Sequence, residues 1–98
     1  MQKIALPEGI PAIEASSFRN CVSLQAVYIP ASVKKVNSEA FRGCKSLSYV
    51  YFGGSEEMWN NIVISTDATS SGPYSGNKCL TNSIMNRYWN QTAASIGY

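Results

Sequence analysis

The apolar pattern between Ile4 and Leu47 is written twice, with a fixed offset that carries Ile4 onto Val27 and Leu24 onto Leu47. Pro7/Pro30, Phe18/Phe41, Arg19/Arg42, Cys21/Cys44, Ser23/Ser46 and Leu24/Leu47 are identical across that offset. Ile4/Val27, Leu6/Ile29, Ile10/Val33 and Ile13/Val36 exchange one aliphatic residue for another. A fixed short period means that each unit cannot bury its apolar side alone and must stack on its neighbour. The expected architecture is a repeat solenoid, and one domain covers 1–98. Repeat 1 spans 4–26 and repeat 2 spans 27–49. A degenerate repeat 3 with an inserted loop spans 50–79, and a last strand and tail span 80–98.

Within a repeat the run L-x-x-V-x-I-P sets the elements. Leu24, Val27 and Ile29, and then Leu47, Val50 and Phe52, place apolar residues at alternate positions, the signature of a short strand with one face inward. Strands are expected near 4–6, 27–29, 50–52 and 83–85. Pro30 ends its strand because it cannot donate to a ladder. Val33 and Val36 give a second inward pair. Ser38 then suits the N-cap of one helical turn, with Ala40 and Phe41 facing in. Asn20 and Gly43 hold matching positions after that turn, and both residue types tolerate a left-handed backbone.

The third copy departs from the first two. Gly53 replaces the proline, and Ser55-Glu56-Glu57 suits the start of a short helix, with acids near its positive end. At the common offset Trp59 falls where Ile13 and Val36 stand. It is read as a plug over the end of the core, or as a ligand-stacking ring. Residues 65–77 are polar and rich in Gly, Pro and Ser, so a loop is expected there. Leu80, Ser83 and Met85 then resume the strand pattern after an insertion of about ten residues, on the repeat spacing above.

Leu24, Val27, Ile29, Pro30, Val33, Val36, Ala40, Phe41 and Cys44 together resemble the BspA-like leucine-rich repeat family of microbial surface proteins, in the C-terminal part of a repeat block. Repeat 1 departs from the family pattern only at Ser17, where Ala is usual. The Gly53–Ile62 segment and Asn77-Lys78-Cys79-Leu80-Thr81-Asn82-Ser83 also resemble the exit sequences of such blocks. The resemblance implies a leucine-rich-repeat solenoid, a right-handed β/α superhelix of short parallel strands with short helical turns, mostly β and loop. It also implies a cell-surface or secreted location.

Composition adds mainly exclusions. The 98 residues contain no His, 14% charged residues and a net charge of +2, too little for a nucleic-acid surface. No apolar run is long enough to insert in a membrane. Met1-Gln2-Lys3 leads straight into repeat 1 with no leader, which points to a segment of a longer chain. The acids are scattered, and the adjacent Glu56 and Glu57 point to different sides of a helix. No general base, activated nucleophile or phosphate loop presents itself, so no catalytic residue, metal or cofactor is expected. Cys21 and Cys44 should stack on adjacent rungs as buried thiols acting as small hydrophobes; a disulfide between them is the lesser alternative. Cys79 is expected to be a free, partly exposed thiol. Asn90-Gln91-Thr92 forms a lone glycosylation sequon.

The core is expected from Leu24, Val27, Ile29, Val33, Val36, Phe41, Cys44, Leu47, Val50, Phe52, Trp59 and Leu80. The outward ladder would be Ala5, Tyr28, Tyr51 and Ile84, beside Lys3, Ala26, Tyr49 and Asn82. Tyr28, Tyr49, Tyr51 and Ile84 thus form a candidate sheet-face patch for a host or neighbouring-cell protein or glycan. Cross-strand packing that merely covers the sheet is the plainer explanation. A structural spacer, or a capping or oligomerisation segment with no ligand of its own, is the alternative function. Ile4, Leu6, Ile10, Ile13 and Phe18 on the first rung form an open N-terminal end expected to self-associate.

Overall fold

A computed structural model describes residues 2–65, Asn77, Leu80, residues 85–92 and Ala94. The chain alternates between two parallel sheets. One has the order β1–β3–β5–β7, built from β1 (Gln2–Ala5), β3 (Leu24–Ile29), β5 (Tyr49–Phe52) and β7 (Asn86–Tyr88). The other has the order β2–β4–β6, built from β2 (Ala12–Ile13), β4 (Lys35–Val36) and β6 (Val63–Ile64). Each strand therefore pairs with the strand one repeat away, never with its chain neighbour. The only helix among the described residues is α1 (Glu56–Asn60).

The register follows the repeat through three rungs. Ile4 stands beside Val27 and Val27 beside Val50, while Ala12 and Ile13 stand beside Lys35 and Val36. A third set of backbone bonds runs on the turn side. The N–H groups of Ser16, Phe18 and Asn20 donate to the carbonyls of Ser38, Ala40 and Arg42, at 3.2, 2.7 and 2.6 Å. All three strips bind one repeat to the next, so a short segment with a neighbour on each side finds partners for its backbone polar groups.

The turn side is a run of tight turns instead of the expected helical turn. Cys21 N–H donates to Phe18 and Cys44 N–H to Phe41, both at 3.2 Å, and Arg19 and Arg42 donate in the same way to Ser16 and Glu39. Ser38 is not an N-cap. Its hydroxyl meets that of Ser65 at 3.2 Å, and the next residue, Glu39, is left-handed at φ +59°, which a helix start does not accommodate. Ser16 in repeat 1 matches it at φ +60°. Asn20 (φ +61°) and Gly43 (φ +79°) are both left-handed, so the two repeats close this turn alike. A β-carbon on Gly43 would overlap the Asn20 amide oxygen, a second reason for glycine there.

The core lies between the sheets and the turn side. Leu24, Val27, Ile29, Val33, Val36, Phe41, Cys44, Leu47, Val50, Phe52, Trp59 and Leu80 are all buried. Phe18 and Phe41 stack with centroids 5.1 Å apart and planes 17° apart. Cys44 is a buried free thiol that donates to the Phe18 carbonyl at 3.0 Å, and Cys21 is a free thiol only half buried. Burial pushes the Cys44 thiol up to about 11.

Two expected registers need correction. Val36 pairs with Ile64, so Trp59 does not occupy the Val36 position. The helix α1 has been inserted into that rung and lengthens it by five residues, counted from the offset Val36–Ile64 against Ile13–Val36. Ser55 caps it, accepting from the Met58 N–H at 3.2 Å. The fourth strand is Asn86–Tyr88, not 83–85; Met85 precedes it, and residues 83 and 84 lie outside the described residues. The loop expected over 65–77 also lies outside them except for Ser65 and Asn77, as does Cys79.

Candidate functional site

The outer face of the four-stranded sheet carries two rows. Lys3, Ala26, Tyr49 and Asn86 form one, and Ala5, Tyr28, Tyr51 and Tyr88 form the other. Ile84, placed in the second row by the sequence pattern, lies outside the described residues, and Asn82 in the first row does too. The positions assigned to them are held by Tyr88 and Asn86. A signal for this was present in the chain. Tyr28-Ile29, Tyr51-Phe52 and Tyr88-Trp89 repeat an outward tyrosine followed by an inward bulky residue.

Three tyrosines of the second row behave differently. Tyr28 faces the outer side yet keeps only 2% of its surface exposed. Its hydroxyl donates to the Glu8 carboxylate, which reaches over from repeat 1. Gly53 makes room for it, since a β-carbon there would stand 2.8 Å from the Tyr28 oxygen. Burial, reinforced by the Glu8 bond and charge, pushes the Tyr28 phenol up to about 12. Tyr28 is therefore a strap between repeats and does not contribute a free ring to the patch. Tyr51 and Tyr88 instead stack on each other, 5.0 Å between centroids and 21° between planes. Tyr88 keeps 41% of its surface exposed, and Tyr49 and Tyr51 are half-buried. Beside them the Asn86 side-chain amide donates to the Ser48 carbonyl at 3.2 Å.

The inward positions of the last rung complete the far end. Trp89 follows Ile29 and Phe52 in the ladder and meets Phe52 edge-on at 6.4 Å. Trp59, 7% exposed, meets Phe52 edge-on at 5.3 Å and Trp89 at 6.0 Å, so it covers the core end as a plug. A cleft of about 280 Å³ remains between Glu56, Asn60, Arg87 and the two tryptophans. Arg87 stands beside Val50 in the register, an inward position, and its guanidinium donates twice to the Leu80 carbonyl, at 3.2 and 3.1 Å. Asn77 finishes the turn side. Fully buried, it accepts from the Phe41 N–H at 3.0 Å and donates to the Asn37 and Ser65 carbonyls at 2.8 Å each. Its side chain stands in for the backbone of a further turn.

The opposite end is less complete. Among the described residues no strand pairs with the outer edge of β1 or β2. Leu6 and Ile13 are buried, while Ile4, Ile10 and Phe18 are half-buried. Clefts of about 420 and 290 Å³ open there, the first against Ile4, Phe18 and Cys21, the second against Leu6, Ile10 and Ile13. Among the described residues no cluster of three or more acidic or cysteine side chains converges, and no helix is long and apolar enough to cross a membrane. Asn90 of the sequon is exposed and left-handed, at φ +57°.

Comparison with known proteins gives two findings. Residues 1–70 match the family model described as a BspA type leucine rich repeat region. A leucine rich cell surface protein from Faecalibacterium prausnitzii has a similar solved structure, with 36% sequence identity and a TM-score of 0.61. The match covers 74% of this chain but only 18% of that one, so this chain spans under a fifth of its length. No curated protein matches the chain.

Proposed function

The chain belongs to the BspA-type leucine-rich repeat family, and from that premise we propose that it is a non-enzymatic binding module of a bacterial cell-surface or secreted protein. Its partner would be a protein or glycan outside the cell. In this reading the two parallel sheets and the turn side are successive walls of a right-handed solenoid, and the four-stranded sheet is its binding wall. The observation that carries the reading is the outer face of β5 and β7. There Tyr49, Tyr51 and Tyr88 keep accessible rings, and none of the three hydroxyls has a described protein partner. Tyrosine supplies large contact area at low entropy cost together with a polar tip.

The test is attachment to arrays of extracellular-matrix proteins and glycans. Tyr49→Ala combined with Tyr51→Ala should abolish binding while the circular dichroism spectrum and unfolding midpoint hold. Binding that survives the double variant removes the sheet face as the site.

A second reading is a spacer or capping segment with no ligand of its own. The sealing of Ala26 and Tyr28 favours it, because half of the sheet face is already spent on internal packing. Silence of the wild-type chain on both arrays would select this reading. In either case the clefts beside β1 and β2 support self-association of the isolated chain through that end. Ile10→Asp should then leave a monomer by light scattering at concentrations where the wild type associates; a wild type that stays monomeric rejects the contact.

A further inference from the structure

Resting on the reading that the outer sheet face binds, we propose that Tyr49, Tyr51, Tyr88 and Asn86 recognise an uncharged saccharide, one short stretch of a neutral polysaccharide at a time.

The first argument is charge. The outward positions of β5 and β7 are Tyr49, Tyr51, Asn86 and Tyr88, with no acidic or basic side chain among them. Arg87, the one charged residue of β7, turns inward to the Leu80 carbonyl. Glu8 lies one rung away and is engaged by Tyr28. The charge in these rows, Lys3, stands two rungs from Tyr49 on β1. On β5 and β7 an acidic or basic ligand would find no outward counter-charge, and a charged protein surface would lose its hydration without compensation.

The second argument is shape. Tyr51 and Tyr88 are 5.0 Å apart with planes inclined by 21°, so the rings touch and the slot between them is closed. Recognition of a proline-rich peptide needs a groove between aromatic rings to receive the prolyl residues. This pair leaves one ring face for a ligand, that of Tyr88 on the side away from Tyr51. A pyranose fits such a face, because its axial C–H bonds make an apolar face that stacks on an aromatic ring.

The third argument is the polar complement. Around that ring face stand three phenolic hydroxyls, each able to donate and accept, and the Oδ1 of Asn86. The Asn86 amide nitrogen is spent on Ser48, which fixes the side chain, while Oδ1 has no described partner. Rings surrounded by neutral, two-way hydrogen-bonding groups match the hydroxyl rim of a sugar. Few groups are involved, so one sugar residue binds weakly. Affinity must come from rebinding along a polymer and from many modules on one surface.

Native-gel affinity electrophoresis of the whole chain tests this, with mixed-linkage β-glucan, galactomannan and dextran cast separately into the gel. The expected result is retardation by at least one polysaccharide, unchanged at high salt because no ion pair forms. Tyr88→Ala should weaken it about tenfold, and Tyr88→Phe, which keeps the ring, by no more than about threefold. Tyr49→Ala provides a second loss on a strand that the substitution at Tyr88 does not touch. Retardation by none of the three, or retardation indifferent to both alanine variants, overturns the inference. If matrix proteins bind through the same tyrosines while no neutral polysaccharide does, the saccharide is wrong and the sheet-face reading stands. If nothing binds on either assay, both fall.

Discussion

The first and last described rungs begin from the same pattern and finish differently. At the far end, the turn-side strip and the end of the core both meet side chains. Asn77 occupies the turn-side bonds, Arg87 holds the Leu80 carbonyl, and Trp59 with Trp89 covers Phe52. At the near end the equivalent groups are left at the edge. Phe18 is only half covered and two clefts open around it. The difference teaches that a repeat supplies adhesion to its neighbour but no ending. An ending has to be written separately, in residues that break the pattern.

The largest expected difference is between the two stacked phenylalanines. Phe41 is fully buried, so Phe41→Ala should cost about 3–5 kcal/mol in denaturant unfolding. Phe18 has one face toward the open end, and Phe18→Ala should cost about half of that. Equal losses would mean that the near end is as well packed as the interior. Next comes the cap. Asn77→Ala removes three hydrogen bonds of a fully buried side chain, and at about 1 kcal/mol each should cost about 3 kcal/mol. Asn77→Asp restores only the acceptor, turns charge toward two carbonyls, and should recover little. A neutral Asn77→Ala would show that the turn-side ladder needs no cap.

The smallest effect is at high pH. The Tyr28 phenol is raised from 10.0 to about 12 in the folded chain, so its contribution is complete below pH 10. It is lost as pH climbs toward 12, because the unfolded chain releases the proton first. Cys44, raised from 9.0 to about 11, should begin the same loss one pH unit earlier. Tyr28→Phe should flatten the upper part of the stability–pH curve and leave the lower part. Superimposable curves for the wild type and Tyr28→Phe would sever the strap between repeats 1 and 2 from stability.

Much of this was legible in the chain. Repetition of Ile4/Val27 and Ile13/Val36 set the register of the first rungs, because a one-repeat slip is the only offset that keeps apolar residues inward. The fourth strand was not legible by the same rule. Its inward residue is Arg87, and nothing in a hydrophobic pattern announces an arginine that earns its place by bonding a carbonyl. The offset puts Trp59 at the wrong position within its rung, because a short helix inserts residues without erasing the apolar spacing around it. At the candidate site the pattern identifies which residues face outward, but not which remain uncovered. Tyr28 and Tyr51 are equivalent by sequence; Glu8 covers one and Tyr88 stacks on the other, and both of those partners come from different rungs.

The Asn77 side chain bonds to Asn37, Phe41 and Ser65, none of which belongs to repeat 1. Gene duplication could therefore add or delete whole repeats upstream of residue 27 without disturbing the terminus. Each new unit would find a neighbour with the acceptors of Ser38, Ala40 and Arg42 already in place. Array length becomes a variable that evolution can alter in whole rungs, while the tyrosine-bearing end is inherited intact.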